Sequence, residues 1–181
     1  MSVELIEQSS PELVAAMERL IPQLSRSAKP LTAQQTQALV DQDGVYLFVF
    51  RTDKPVIAAD GNEVEAGTIL GMLSLATFAI PTGVRAWVED VVVDAGTRGM
   101  GAGQQLVEAA VAHAQKIGAR TVDLTSRPLP TLRLRAARNQ RLPLRQQLID
   151  IGCHARHAVT TGRFAQAIHR VFHGGSRIGA S

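Results

Sequence analysis

The segment from Val91 to Gln104, Val-Val-Val-Asp-Ala-Gly-Thr-Arg-Gly-Met-Gly-Ala-Gly-Gln, constrains this chain more than any other part of it. Three successive valines favour a strand, and the strand stops at Asp94. An Arg/Gly-rich loop follows, and then a proline-free helix predicted over Gln104 to Ile117. Glycines between a strand and a helix start let several backbone N–H groups converge on one point, because no Cβ obstructs the approach. The helix dipole adds to the attraction for an anion, so phosphate is the expected ligand.

Spacing sorts the kinds of phosphate site. A P-loop requires Gly-x-x-x-x-Gly-Lys-Ser/Thr, and no Lys follows these glycines. Gly99, Gly101 and Gly103 do not meet the Gly-x-Gly-x-x-Gly dinucleotide fingerprint. Asp123 lies at a suitable separation for a ribose partner, but it falls inside the next predicted strand and not at its end. The pattern present is Arg/Gln-x-x-Gly-x-Gly/Ala, as Arg98-Gly99-Met100-Gly101-Ala102-Gly103. It resembles the pyrophosphate-binding loop of the GCN5-related N-acetyltransferase (GNAT) superfamily, which holds acetyl-CoA. Its flanks agree, with Trp87-Val88-Glu89-Asp90-Val91-Val92-Val93 before it and Ala119-Arg120-Thr121-Val122-Asp123-Leu124-Thr125-Ser126 after the helix.

The order of elements is consistent with that resemblance over residues 1–128. Val3 to Ile6 make a short strand. Leu13, Met17, Leu20 and Ile21 recur at helical spacing over residues 11–21, and Pro22 is expected to end or kink that helix. A second helix runs from a Thr32 cap through Leu39 to Asp41, and Asp43-Gly44 signals a turn. Val45 to Phe50 is a strand, and Asp53 to Ala66 a polar hairpin loop with Asp60-Gly61-Asn62 at its tip. Strands over Thr68 to Ile80 and Arg85 to Val93 are separated by Pro81-Thr82-Gly83, and a further strand spans Thr121 to Thr125. Gly118 caps the helix between them, whose inner side carries Leu106, Ala109, Ala110 and Ile117, with His113 on the same stripe as a satisfied, half-buried core residue. The resemblance implies an α+β (α/β) GNAT fold: a mixed, mostly antiparallel central sheet with helices on both faces.

It also implies a site. In the family the strand before the loop splays from the strand after the helix, and the acetyl group lies in the gap. The resemblance gives Val91, Val92 and Val93 the role of pairing with the pantetheine arm through their backbone. The pyrophosphate then falls to backbone N–H groups of Gly99, Met100, Gly101, Ala102, Gly103 and Gln104, with Arg98 as a charged donor. Glu89 is the candidate general base, directly or through a water, because a carboxylate beside the splay is desolvated. Strand alternation is expected to put Glu89 and Val91 on one face and Asp90 on the other. Tyr46 and Trp87 are expected to pack in the core.

Composition bounds the rest. A chain of 181 residues supports one domain with a sizeable core. No apolar run is long enough for a membrane span, and the N-terminus, with Glu4, Glu7 and Glu12, lacks the order of a signal peptide. The single Cys153 precludes an internal disulfide and fits a reducing, cytoplasmic setting. Cys153, His154 and His157 lack the paired spacing of a structural zinc site, so no metal is expected.

The family pattern fails after Pro128. Residues 1–126 carry 9 Lys/Arg against 15 Asp/Glu, whereas residues 127–181 carry 10 Arg, no Lys and the lone acid Asp150. Family members continue with a Tyr that serves as general acid, and this chain has no Tyr after Tyr46. Residues 129–181 therefore form an atypical Arg-rich segment. It is a divergent folded end with Gln147 to His157 or Phe164 to Phe172 helical, a basic arm for nucleic acid or another polyanion, or an out-of-register translation of a GC-rich gene.

The sequence thus predicts an acetyl-CoA-dependent N-acetyltransferase acting on a small-molecule or peptide amine by direct transfer, with no metal. The alternative is a non-catalytic GNAT-like module that binds CoA or nucleic acid through a basic tail. Dimerisation is common in the family.

Overall fold

Local signals place the first helices. Ser10 Oγ accepts from the Leu13 N–H at 3.1 Å and Pro11 occupies the first turn, so α1 (Pro11–Leu24) starts where its orphan donors are met. Leu13, Ala16, Met17 and Leu20 form its buried stripe. Pro22 lies inside it, which excludes an end there, the first of the two expected outcomes. Proline removes only the bond to the Glu18 carbonyl, and the Ser25 N–H still closes the last turn on Ile21 at 3.0 Å. A reciprocal Thr32–Gln35 capping box starts α2 (Ala33–Val40).

The computed structural model describes residues 2–25, 27–58, 61–97, 100–126 and 145–150, with backbone alone for 125–126 and 145–150. Eight strands are present among them: β1 (Ser2–Ile6), β2 (Val45–Arg51), β3 (Val56–Ile57), β4 (Glu63–Val64), β5 (Ile69–Ile80), β6 (Gly83–Val93), β7 (Ala119–Ser126) and β8 (Arg145–Asp150). Strands β3 and β4 form a separate ribbon inside the segment expected to be loop. The other six make one sheet in the order β1-β2-β5-β6-β7-β8. Every neighbouring pair is antiparallel except β6 and β7, which are joined through α3 (Ala102–Lys116) and run parallel.

Helices cover both faces, as the resemblance implied. On one face α3 buries Leu106, Val107, Ala110, Val111 and Ala114 against Phe48, Phe50, Leu73, Leu75, Val88, Val122 and Leu124. On the other, α1 packs on Leu47, Val49, Ile69, Met72 and Val92. The inner side of α3 is thus wider than the predicted stripe, and Ile117 is its C-cap. Gly118, at φ 77°, follows it in the left-handed conformation expected of a helix-ending glycine.

Strand β8 overturns the helical reading of residues 147–150. Its backbone pairs antiparallel with β7 from Thr121↔Asp150 to Ser126↔Arg145. Arg-Gln-Gln-Leu-Ile-Asp does not alternate in hydrophobicity, so the pairing edge offered by β7 decides its conformation. Residues 151–181, with Cys153, His154, His157 and the segment 164–172, lie outside the described residues.

Candidate active site

The sheet opens at one end. Pairing of β6 with β7 stops at Val88↔Leu124, whereas β5 stays paired with β6 to Gly71↔Val93 and β8 with β7 to Ser126↔Arg145. From Glu89 onward the two halves of the sheet diverge.

A bulge accompanies the opening. Ser74 faces Glu89 and Met72 faces Val92, so Leu73 on β5 opposes both Asp90 and Val91 on β6. Asp90 takes up the extra residue at φ 51°, a left-handed conformation that Asp tolerates better than most side chains. An extra residue on one strand bends it and raises the local twist, which turns β6 away from β7. The same bulge breaks the expected alternation. Val91 and Val93 pack against the α3 cluster that contains Val88, so Glu89 and Val91 no longer share a face.

Side chains of Val91, Val92 and Val93 belong to the two core clusters, which leaves their backbone to face the gap. The Asp94 N–H donates to the Leu70 carbonyl at 2.8 Å. By alternation, the N–H groups of Val93 and Val91 turn away from β5, toward the opened side.

Glu89 is the first β6 residue past the last pair with β7, and it is exposed. Its carboxyl is pushed above the usual carboxylate range, first by partial desolvation and then by the neighbouring Asp90 carboxylate.

Beyond the gap, Asp94 Oδ1 accepts from the Gly96 N–H at 3.0 Å, and a single 3₁₀ turn spans Ala95–Thr97. A Cβ on Gly96 would lie 3.3 Å from Cβ of Ala58, so Ala58, just after β3, stands close to this turn. Gly101, at φ 74°, is the N-cap of α3, and no side chain caps it. Ala102 and Gly103, expected in the loop, are the first helical residues, with Gln104 in the same turn and Met100 half-buried just before. The N–H groups of Gly101, Ala102, Gly103 and Gln104 have no partner within the helix, so this end of α3 presents a cluster of donors. Arg98 and Gly99 lie outside the described residues.

Other expected residues have structural roles. Tyr46 and Phe48 enclose the His113 ring at centroid distances of 4.2 and 5.7 Å. His113 is half-buried as expected, but its Nε2 has no hydrogen-bond partner among the described residues, so it is not satisfied there. Asp123 is buried beside Arg85 at 3.0 Å on the face of the sheet away from α3. Trp87 stands opposite Asp123, and its buried Nε1 has no partner among the described residues.

Sequence reasoning missed Arg19 and Gln23 of α1, which reach the 3₁₀ turn. Arg19 Nε lies 3.1 Å from Asp94 Oδ2, and Gln23 Oε1 accepts from the Ala95 N–H at 2.9 Å. The two residues are four apart, hence neighbours on one helix face. That spacing was visible, but their partners lie more than 70 residues away.

Residues 19–134 match the acetyltransferase (GNAT) family. The chain belongs to that family, which uses acetyl-CoA. No curated protein matches. Among solved structures it is similar to an acetyltransferase of Trypanosoma brucei, at 26% identity, 79% of this chain and 99% of that one, with a TM-score of 0.54. An aminoglycoside acetyltransferase from an uncultured soil metagenomic sample, in complex with sisomicin, shares 15% identity over 77% of this chain and 94% of that one, with a TM-score of 0.56. A ribosomal-protein-alanine N-acetyltransferase of Brucella melitensis shares 16% identity over 72% and 83%, with a TM-score of 0.52. The latter two likenesses show the fold. Among the described residues no helix is long and apolar enough to cross a membrane, and no three His, Cys, Asp or Glu cluster to hold a metal ion.

Proposed function

We propose that this chain is an N-acetyltransferase that moves the acetyl group of acetyl-CoA directly to a primary amine of a small molecule or peptide. The observation that carries this reading is the opening of the sheet with Glu89 at its apex and an uncapped helix start beyond it. The amine-acetylating structural neighbours support an amine acceptor. The chain's single cysteine fits a reducing, cytoplasmic setting.

In this reading Val91, Val92 and Val93 hold the pantetheine arm as an added strand, their side chains remaining in the core. A backbone N–H of Val91 or Val93 polarises the thioester carbonyl and receives the charge that develops on its oxygen. Glu89 takes a proton from the ammonium, directly or through a water, and its raised pKa makes it a stronger base than an ordinary carboxylate. The amine nitrogen then bonds to the acetyl carbon and the carbon–sulfur bond breaks. The thiolate leaves without a side-chain acid and takes up, through water, the second proton that the attacking nitrogen gives up. Met100, Gly101, Ala102, Gly103 and Gln104, with Arg98 and Gly99, hold the pyrophosphate through backbone N–H groups and the Arg98 guanidinium.

Thermal unfolding with and without acetyl-CoA tests the binding half. A ligand at about 100 times its dissociation constant adds about 2.7 kcal/mol if it binds only the folded state. An upward shift that Gly101→Asp abolishes is expected, because the new carboxylate faces the anion. No shift in a cooperatively melting wild type would refute the reading.

A further inference from the structure

The geometry points to Arg19 and Gln23 as positioning residues for the anion-binding loop, setting coenzyme A affinity from the face of the sheet opposite α3. This rests on the acetyl-CoA reading above. The 3₁₀ turn after β6 is closed by its own bonds, from the Gly96 N–H to Asp94 Oδ1 and from the Thr97 N–H to the Asp94 carbonyl, both at 3.0 Å. Those bonds fix the shape of the turn and not its location. Its start is held on β5 by the Asp94 N–H bond to the Leu70 carbonyl, and α1 holds it from the other side. Arg19 bonds at once to Asp94 Oδ2 and, through a terminal N–H, to the Ile69 carbonyl on β5, so one guanidinium ties helix, strand and loop together. Gln23 Oε1 takes the Ala95 N–H at 2.9 Å, while its Nε2 donates back to the Arg19 carbonyl at 3.1 Å.

Charge gives Arg19 a second role. Asp94 places a carboxylate at the head of a loop that holds a pyrophosphate, and like charges repel. The Asp94 side chain is 19% exposed against 42% for Arg19, so the carboxylate has less water to stabilise it and depends more on its partner. Arg19 offsets that charge, and Gln23 holds the adjacent amide. Gly101 follows Thr97 by four residues in sequence, so the place of the turn bears on the donors at the start of α3.

Calorimetric titration of coenzyme A into the full chain, beside thermal unfolding of each unliganded variant, tests this. Arg19→Ala and Gln23→Ala are each expected to weaken binding by roughly three- to tenfold, with unliganded melting temperatures within about 2–4 °C of wild type. Turnover should show a raised KM for acetyl-CoA at unchanged kcat. Arg19→Lys should recover part of the affinity. The Arg19→Ala loss should shrink in an Asp94→Asn background, where no uncompensated carboxylate remains. Wild-type binding with undiminished affinity in both alanine variants would overturn this inference and leave the acetyl-CoA reading standing. A wild type that does not bind coenzyme A would overturn both. Should Arg19→Ala fail to fold, the exposed Gln23 carries the test alone.

Discussion

Gly71→Ala probes how closely β5, β6 and α3 approach at the root of the opened sheet. A Cβ at Gly71 would lie 3.1 Å from the Val92 carbonyl oxygen, 3.2 Å from Leu106 Cδ1 and 3.4 Å from Val93 Cγ2. Gly71 has no left-handed φ, so the added methyl meets a steric penalty and not a backbone one. Alone, a tolerated Gly-to-Ala change stabilises by about 0.4–1 kcal/mol through the unfolded chain. Overfilling a close-packed core costs about 1–3 kcal/mol, and Leu106 is fully buried with little space to yield. The net expectation is a loss of about 1–2 kcal/mol, or roughly 2–8 °C in melting temperature for a chain of this size. Urea denaturation measures it. Leu106→Val removes one of the crowding atoms, so the double variant should lose about 0.5–1 kcal/mol less than the sum of the singles. Because Val92 and Val93 must shift, coenzyme A affinity should fall as well. A Gly71→Ala variant as stable as wild type, or strict additivity with Leu106→Val, would refute the packing described here.

Two further expectations concern protons. Glu89 is held above the ordinary carboxylate range, so the acid limb of the kcat/KM profile should sit above about 4.5, the activity rising as Glu89 deprotonates. Asp90→Asn keeps a side chain suited to the left-handed φ and removes the repulsion, so the limb should move to lower pH; an unmoved limb contradicts the assignment. His113 is held below its usual 6.5, first by burial and then by Lys116. As pH falls the unfolded chain therefore takes up this proton first, and stability present above about 6.5 is lost toward the folded-state pKa. Denaturation midpoints across that window should fall less steeply in His113→Phe than in wild type, and parallel slopes would exclude the effect.

Local chemistry made much of this fold legible in the sequence. The Thr32 cap, the Leu13-Met17-Leu20 stripe and the Val91–Val93 run each carry their own signal within one element, and the helices and strands followed from them. What escaped depends on pairing between distant segments. The bulge at Asp90 exists because two strands meet out of step, and nothing in Glu-Asp-Val announces it. Val107 and Val111 of α3 are buried beside the expected Leu106 and Ala110, and their burial depends on strands distant in sequence. Strand β8 has no alternation of its own and takes its form from the edge of β7. The candidate site divides in the same way. Its glycine loop and Glu89 were legible from spacing and resemblance, whereas the Arg19 and Gln23 tethers cross the sequence by more than 70 residues.

The central claim is that an amine meets a thioester beside Glu89. Initial-rate release of free thiol from acetyl-CoA, with aminoglycosides and peptides bearing a free N-terminus as acceptors, tests it most directly. Thiol release should require one of these amines, yield an N-acetylated product by mass spectrometry, and fall by about a hundred- to ten-thousandfold in Glu89→Gln. Acetyl-CoA bound without amine-dependent thiol release from either acceptor class, or release undiminished in Glu89→Gln, would contradict it.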